Sequence, residues 1–291
     1  METHVARDDY RQRINRVLAC LEHNLDALPS LDHLAGLAHY SPHHFHRMFT
    51  GMVGESLAAY ARRLRLERAA MFLSRTARPV TDIAFESGYE SHQAFTRAFK
   101  AHFGVSPRAC REAARLGLPL PKRPVPPPKP QGDIAMDATI VFFPVTKVAY
   151  VRHVGPYDQC HAAWETLCAW AGPKGLLGPQ TRAMGISHDD PEVTPPEKIR
   201  YDACITVAEG VKAEGPVGVM DIGGGDYAMA LHEGPYSGLH ACYAALCGVE
   251  LPKLGREPGY APSIEIYLND PATTPPTDLR TEIYIPLLPK G

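Results

Sequence analysis

The chain has 291 residues, 45% hydrophobic and 21% charged, a soluble globular composition long enough for two domains. Its apolar runs are short and interrupted, so neither a membrane span nor a secretory segment is expected. Seven cysteines without a Cys-x-x-Cys pair argue against a disulfide framework and for reduced thiols in a cytoplasm.

The formal net charge of −2 hides an asymmetry: residues 1–115 hold 16 Lys and Arg against 12 Asp and Glu, whereas residues 133–291 hold 11 against 20. If the chain meets a polyanion, it does so through its first part.

Residues 9–25 place Ile14, Val17, Leu18, Leu21 and Leu25 at helical spacing, and Pro29-Ser30 ends that helix and caps the next. "SLDHLAGLAHYSPHHFHRMFTGMVGES" reads as helix, turn, helix, with Ser41 as cap and Pro42 at the first position of the second helix. Residues 55–74 form a long amphipathic helix, predicted to bury Leu57, Tyr60, Ala61, Leu64, Ala69, Met71 and Phe72. "VTDIAFESGYESHQAFTRAFKAHFGVSP" (80–107) then repeats the first unit. Phe45-x-Arg47-x-Phe49, Gly54 and Ser56 recur 50 residues on as Phe95-x-Arg97-x-Phe99, Gly104 and Ser106.

Helix geometry sets the faces of the two units. Phe45 and Phe49 share a buried side, so Arg47 points away from it, flanked by His43 and His46. In the second unit Gln93, Thr96 and Arg97 point outward, with His92 beside them. Arginine suits the guanine edge and glutamine the adenine edge in the major groove, although the same residues also suit a solvated surface. A connecting helix of about 20 residues is roughly 30 Å long, close to the spacing of successive major grooves. His43, His44 and His46 do not share one face and have no cysteine or carboxylate beside them in sequence, so no metal site is expected there.

Residues 10–112 resemble the DNA-binding domain of the AraC/XylS transcription regulators, most specifically in "VTDIAFESGYESHQAFTRAFKAHFGVSPRACR". The resemblance implies seven helices, with residues 42–52 and 91–102 as recognition helices, and promoter DNA and RNA polymerase as partners. It places base-reading residues at His43, His46 and Arg47 in the first unit and at Gln93 and Arg97 in the second. His43 stands where relatives often carry an aromatic or another polar residue.

"LPLPKRPVPPPKPQG" (118–132) marks the boundary between halves, because proline lacks the donor that helices and sheets need. Beyond it, strand-like runs alternate with two helical runs. "HVGPYDQCHAAWETLC" (153–168) recurs as "HEGPYSGLHACYAALC" (232–247), each copy following two strand-like runs and preceding two more. Gly-Pro sits where strand turns into helix. Tyr157 and Tyr236 fall in the first helical turn, and Trp164 with Tyr243 and Leu167 with Leu246 fall at packing positions. His161 and Cys168 lie about two helical turns apart, too far for one tetrahedral ion, so the motif reads as duplicated scaffold. In "PSIEIYLNDP", Ile264, Ile266 and Leu268 alternate with Ser263, Glu265 and Tyr267. If the isoleucines pack against the helices, Glu265 and Tyr267 line the opposite, concave surface. A carboxylate among aromatic rings suits an organic cation, although a half-exposed strand can also carry an ordinary solvated glutamate.

This half resembles the GyrI-like effector-binding domain, through the two strand–Gly-Pro-Tyr–helix units, "DDPE", "RYDACITV" and "EIYLNDP". The resemblance implies a pseudo-twofold pair of modules with a ligand groove between them. It matches Glu265 to an acidic residue used for cationic ligands in some relatives, with Tyr201 and Trp164 as further groove walls.

The expected organisation is an all-α double helix-turn-helix domain at 8–113, a proline-rich linker at 114–133, and an α+β domain of two β-β-α-β-β modules at 134–290. The expected function is transcription regulation, with a small hydrophobic or cationic effector and no cofactor, metal or catalytic residue. Two alternatives remain for the second domain: a protein-interaction module, or a hydrolase using Glu265 as acid or base.

Overall fold

The computed structural model describes residues 2–118 and 136–289; the side chains of residues 2–8 and of His43 lie outside the described residues, as does most of the proline-rich segment. The first half forms α1 (Glu2–His23), α2 (Leu31–Ala38), α3 (Pro42–Val53), α4 (Leu57–Arg75), α5 (Val80–Glu86), α6 (His92–Phe103) and α7 (Pro107–Arg115). The helix at 114–115 extends into the span expected as linker. Ser30, Ser41, Ser56, Ser91 and Ser106 each accept a hydrogen bond from the backbone N–H three residues on, and so satisfy a donor that helix starts leave free. Gly54 and Gly104 end α3 and α6 at φ 82° and 76°, a region where a side chain would strain the chain.

These helices do not share one core. Leu66, Ala69, Ala70 and Leu73 of α4 pack with Ile83, Phe95, Phe99, Phe103 and Cys110 under the second unit. Phe45, Met48, Phe49 and Tyr60 of the first unit join Tyr10, Ile14, Val17 and Leu21 in another. α4 therefore turns a different stripe to each unit, and Met71, predicted inside, is exposed.

The second half forms β1 (Thr139–Phe143), β2 (Thr146–Val154), α8 (His161–Ala171), β3 (Ala183–Ser187), β4 (Arg200–Thr206), β5 (Gly218–Ile222), β6 (Gly225–Glu233), α9 (Leu239–Ala245), α10 (Leu251–Leu254), β7 (Ser263–Tyr267) and β8 (Arg280–Pro286). Between α9 and α10 the chain stays helical but widens to π geometry at Leu246–Glu250. The strands form one antiparallel sheet in the order β1-β6-β8-β7-β3-β4-β2-β5. β1 pairs with β6 and β5 with β2, so each module lends its first strand to the other. Short turns tie β1 to β2 and β5 to β6, which draws the two edges together and curls the sheet; Gly224 N–H donates to Phe143 O at 2.9 Å across that gap.

The two sheet faces differ from the expectation drawn from the isoleucines. Ile264 and Ile266 join Phe143, Val148, Met184, Ile186, Cys204 and Tyr227 inside the curl. Ala149, Val151 and Ala203 face α8, and Ala228, Ala230 and Ile283 face α9. Glu265 pairs with Gly185 and Ile283 and thus belongs to the helix-bearing face. Both faces are buried, so alternation alone does not reveal which one carries helices.

The core of the first helix-turn-helix unit continues without a break into the second module, through Cys242, Tyr243, Leu246, Cys247 and Leu251. α1 is fastened to the same module: the Tyr10 hydroxyl donates to Arg256 O, and Arg13 pairs with Glu257 at 2.8 Å.

Candidate nucleic-acid interface and effector site

In the second unit the sequence-predicted residues lie on the side of α6 away from its phenylalanines. Phe95, Phe99 and Phe103 fill the core from one side of α6. Gln93 and Arg97 are exposed on the other side, and Thr96 is half-buried between them. This surface can meet a groove edge with a planar guanidinium and an amide.

The first unit differs. His46 is 1% exposed and Arg47 6%, although Arg47 points away from its own unit's phenylalanines. What covers them is the second half of the chain. His46 Nδ1 lies 3.0 Å from Asp190 Oδ2, and its Nε2 lies 3.6 Å from Glu192. The Arg47 guanidinium stacks 3.9 Å from the centre of the Tyr243 ring and donates to Ser263 Oγ at 3.1 Å. His44 Nε2 lies 3.4 Å from Ala261 O. Burial acts to raise the Asp190 carboxyl, but the His46 hydrogen bond and the Arg47 charge outweigh it and hold the group at about 2. Burial, then the neighbouring Arg47 charge, lowers His44 to about 3, so it is neutral at physiological pH.

The helices meet at two glycines. A Cβ on Gly51 would fall 2.0 Å from Ala244 O, and one on Gly248 would fall 2.2 Å from Gly51 C. No side chain fits at either position without separating α3 from the π segment behind α9.

Glu265 lies beside this contact, 5% exposed. Its Oε1 accepts from the Ser187 hydroxyl at 3.0 Å and the Tyr243 hydroxyl at 2.9 Å, and its Oε2 accepts from the Tyr267 hydroxyl at 2.7 Å. Tyr201 and Tyr267 share a hydrogen bond of 2.8 Å. Trp164 and Tyr236 stand edge-on to Tyr267, at centroid separations of 5.9 and 5.5 Å. Burial first, and the Glu265 charge next, push the Tyr243, Tyr201 and Tyr267 phenols well above their ordinary range, so all three keep their protons. Gly185 leaves room for this cluster: a Cβ there would fall 2.4 Å from the Tyr267 hydroxyl and 2.6 Å from that of Tyr201.

The predicted set Glu265, Tyr267, Tyr201 and Trp164 is therefore brought together. The sequence reading missed Tyr243, which it took as a packing position, and Tyr236, which it took as part of a turn. Both belong to the duplicated motif, so the repeat supplies walls of the site as well as scaffold. The first histidine of each copy serves the turn: His153 Nε2 and His232 Nε2 each lie 3.0 Å from the carbonyl of the following proline, Pro156 or Pro235. Gly155 and Gly234 take φ of 148° and 125° there. Among the described residues no group of three or more His, Cys, Asp or Glu side chains is placed to hold a metal ion.

A family described as a GyrI-like small molecule binding domain matches residues 136–288, and a helix-turn-helix domain family matches residues 34–113. The chain is 30% identical over 294 residues to the right origin-binding protein of Escherichia coli K12, covering 94% of this chain and 97% of that one. It is 28% identical over 287 residues to the transcriptional regulator Rob of Salmonella typhimurium, with the same coverage of both chains. The chain belongs to the AraC-type transcription regulators that carry a GyrI-like domain. Among solved structures, the EcmrR C-terminal domain aligns with 53% of this AraC-type regulator and 99% of its own length, at 18% identity and a TM-score of 0.44.

This AraC-type regulator is thus a DNA-binding protein with a small-molecule binding domain, and its two helix-turn-helix units stand in unequal positions. α6 is open to solvent, whereas α3 is covered by the GyrI-like domain. Among the described residues no helix is long and apolar enough to cross a membrane.

Proposed function

We propose that this regulator responds to an organic cation with aromatic or amphipathic character, received at Glu265. The carrying observation is a buried carboxylate whose hydrogen-bond partners are all neutral hydroxyls, set among aromatic rings. A buried carboxylate with no cation in direct contact is costly to keep charged, and a cation stacked on tyrosine or tryptophan faces would offset that cost. Trp164, Tyr201 and Tyr267 are the walls of this reading. The effector domain spans 134–290 and the DNA-binding domain 8–113. His43, His46 and Arg47 read one DNA segment, and Gln93, Thr96 and Arg97 a second, in a cytoplasmic protein that works with RNA polymerase at promoters. Glu265 acts by charge and not as a catalytic acid or base: its oxygens are occupied by three hydroxyl donors, and the reading calls for no bond to break.

Tetraphenylphosphonium serves as a probe of the effector site. Calorimetric titration of the full chain should show binding that weakens at least about tenfold in Glu265→Gln, since opposite charges about 6 Å apart at an effective dielectric of about 20 attract by roughly 3 kcal/mol. Equal affinity for wild type and Glu265→Gln would refute the cation reading. For DNA, Arg97→Ala should abolish preference for a selected duplex over random sequence at fixed salt; retained preference would remove Arg97 from the reading set.

A further inference from the structure

We infer that the GyrI-like domain is an intramolecular cover for the first recognition helix, and that Arg47 is its internal ligand, seated where it competes with a cationic effector.

The two repeats within the chain carry the argument, because each provides an undocked copy for comparison. α3 and α6 are related by a shift of 50 residues, and they differ where α3 is covered. His44, Thr50 and Gly51 of α3 correspond to Ala94, Lys100 and Ala101 of α6. Thr50 is buried where Lys100 is exposed, and Gly51 makes an approach that Ala101 would forbid. α9 and α8 are related by a shift of 79 residues, and they differ on the matching side. Ala244 and Gly248 replace Glu165 and Ala169, while Cys247 keeps the cysteine of Cys168; Ala244 and Cys247 are buried under α3, whereas Glu165, Cys168 and Ala169 are all exposed to solvent. Both partners have thus been cut to fit at the one place where they meet.

The ligand side follows from β7. Ser263 and Glu265 are two residues apart on one strand and face the same way. Arg47 donates to the first, and its guanidinium covers the Tyr243 ring, whose hydroxyl is bound to the second. An effector cation drawn to Glu265 contests the Tyr243 face that Arg47 now occupies; this clause rests on the cation reading proposed above. DNA contests Arg47 from the other side, since a guanidinium stacked on Tyr243 cannot reach a base edge. Effector and DNA both favour the state in which α3 is free. Their binding is therefore coupled positively, and by reciprocity each raises affinity for the other by the same factor.

The test compares the full chain with Gly248→Leu, whose new Cβ would run into the Gly51 backbone of α3, and with Asp190→Ala, which removes the carboxylate beside His46. Circular dichroism checks the fold of each. Hydrogen exchange over residues 42–53 reports release of α3, and anisotropy with a duplex selected from a random pool reports DNA affinity. Faster exchange in α3 together with DNA binding at least about tenfold tighter in either folded variant supports the cover. Unchanged exchange in both variants, or released α3 without tighter DNA binding, overturns it. Tetraphenylphosphonium separates the two proposals. If the variants gain DNA affinity but the probe does not bind, the cation reading fails and the cover stands. If the probe binds through Glu265 while the variants gain nothing, the cover fails and the cation reading stands.

Discussion

Gly51→Ala is expected to act in two opposite directions. Glycine in a helix interior is about 1 kcal/mol less favourable than alanine, and α3 is helical whether or not it is docked. That gain stabilises the chain as a whole but cancels from the docking equilibrium. The docked state also carries a clash: the new methyl would lie 2.0 Å from Ala244 O and 2.7 Å from Gly248 Cα, both backbone atoms that cannot rotate away. Relief requires α3 and α9 to part by roughly 1 Å, which loosens the packing of Met48 and Cys247 and the Arg47–Tyr243 stack; overpacking of this kind costs about 1–3 kcal/mol. The docking constant should therefore fall by about 5- to 150-fold. Hydrogen exchange resolved along the chain measures this directly: protection should drop in α3 and stay level in α6, where Ala101 already occupies the equivalent site. If protection of α3 is unchanged and denaturant stability rises by the full propensity gain, the helices do not approach as described.

Three further outcomes follow from the same contacts. The His44 imidazole, lowered to about 3 in the docked state, would titrate near 6.5 once released; docking is thus fully favoured above that pH and weakens as pH falls toward 3. The loss between pH 7.5 and pH 5 is about 2 kcal/mol, read as faster exchange in α3. In that window Asp190 stays ionised, its value being about 2, and Arg47 keeps its charge. The Glu192 partner raises His240, which opposes the trend only weakly because His240 is more than a third exposed. A level profile from pH 7.5 to 5 would contradict the assignment to His44. Tyr10→Phe removes the donor to Arg256 O and should cost about 1 kcal/mol in chemical denaturation; no change would mean that this bond is replaced by water. Leu73→Ala should cost about 2–5 kcal/mol and loosen α5–α7 while sparing α3, since Leu73 belongs to the second unit's core; equal loosening of both units would argue against two separate cores.

Most of the fold was legible because its signals are local. Serine caps, glycine stops and the spacing of Phe45 and Phe49 or Phe95 and Phe99 are read within a few residues, and the two repeats confirm one another. Glu265 with Tyr267, Tyr201 and Trp164 also came together as expected, but on the other face of the sheet. Alternation in β7 shows that two faces exist; it does not show which one helices cover when both are buried. The docking of α3 was not legible from one helix. Arg47 points outward from its own unit, and the surface that receives it begins more than 140 residues later, at Asp190. The available signal was comparative: Gly51 against Ala101, and Gly248 against Ala169. It becomes meaningful only once the two pairs are known to touch.

The shared core beneath α1, α3 and α9 also sets how the chain comes apart. Sequence boundaries divide it between residues 113 and 136, but apolar packing divides it elsewhere, leaving α5–α7 with part of α4 on one side and the first unit with the second module on the other. In a calorimeter the first helix-turn-helix should melt together with the distant module that holds it, while the second melts on its own. Cutting the backbone between the halves would accordingly yield two pieces that remain associated.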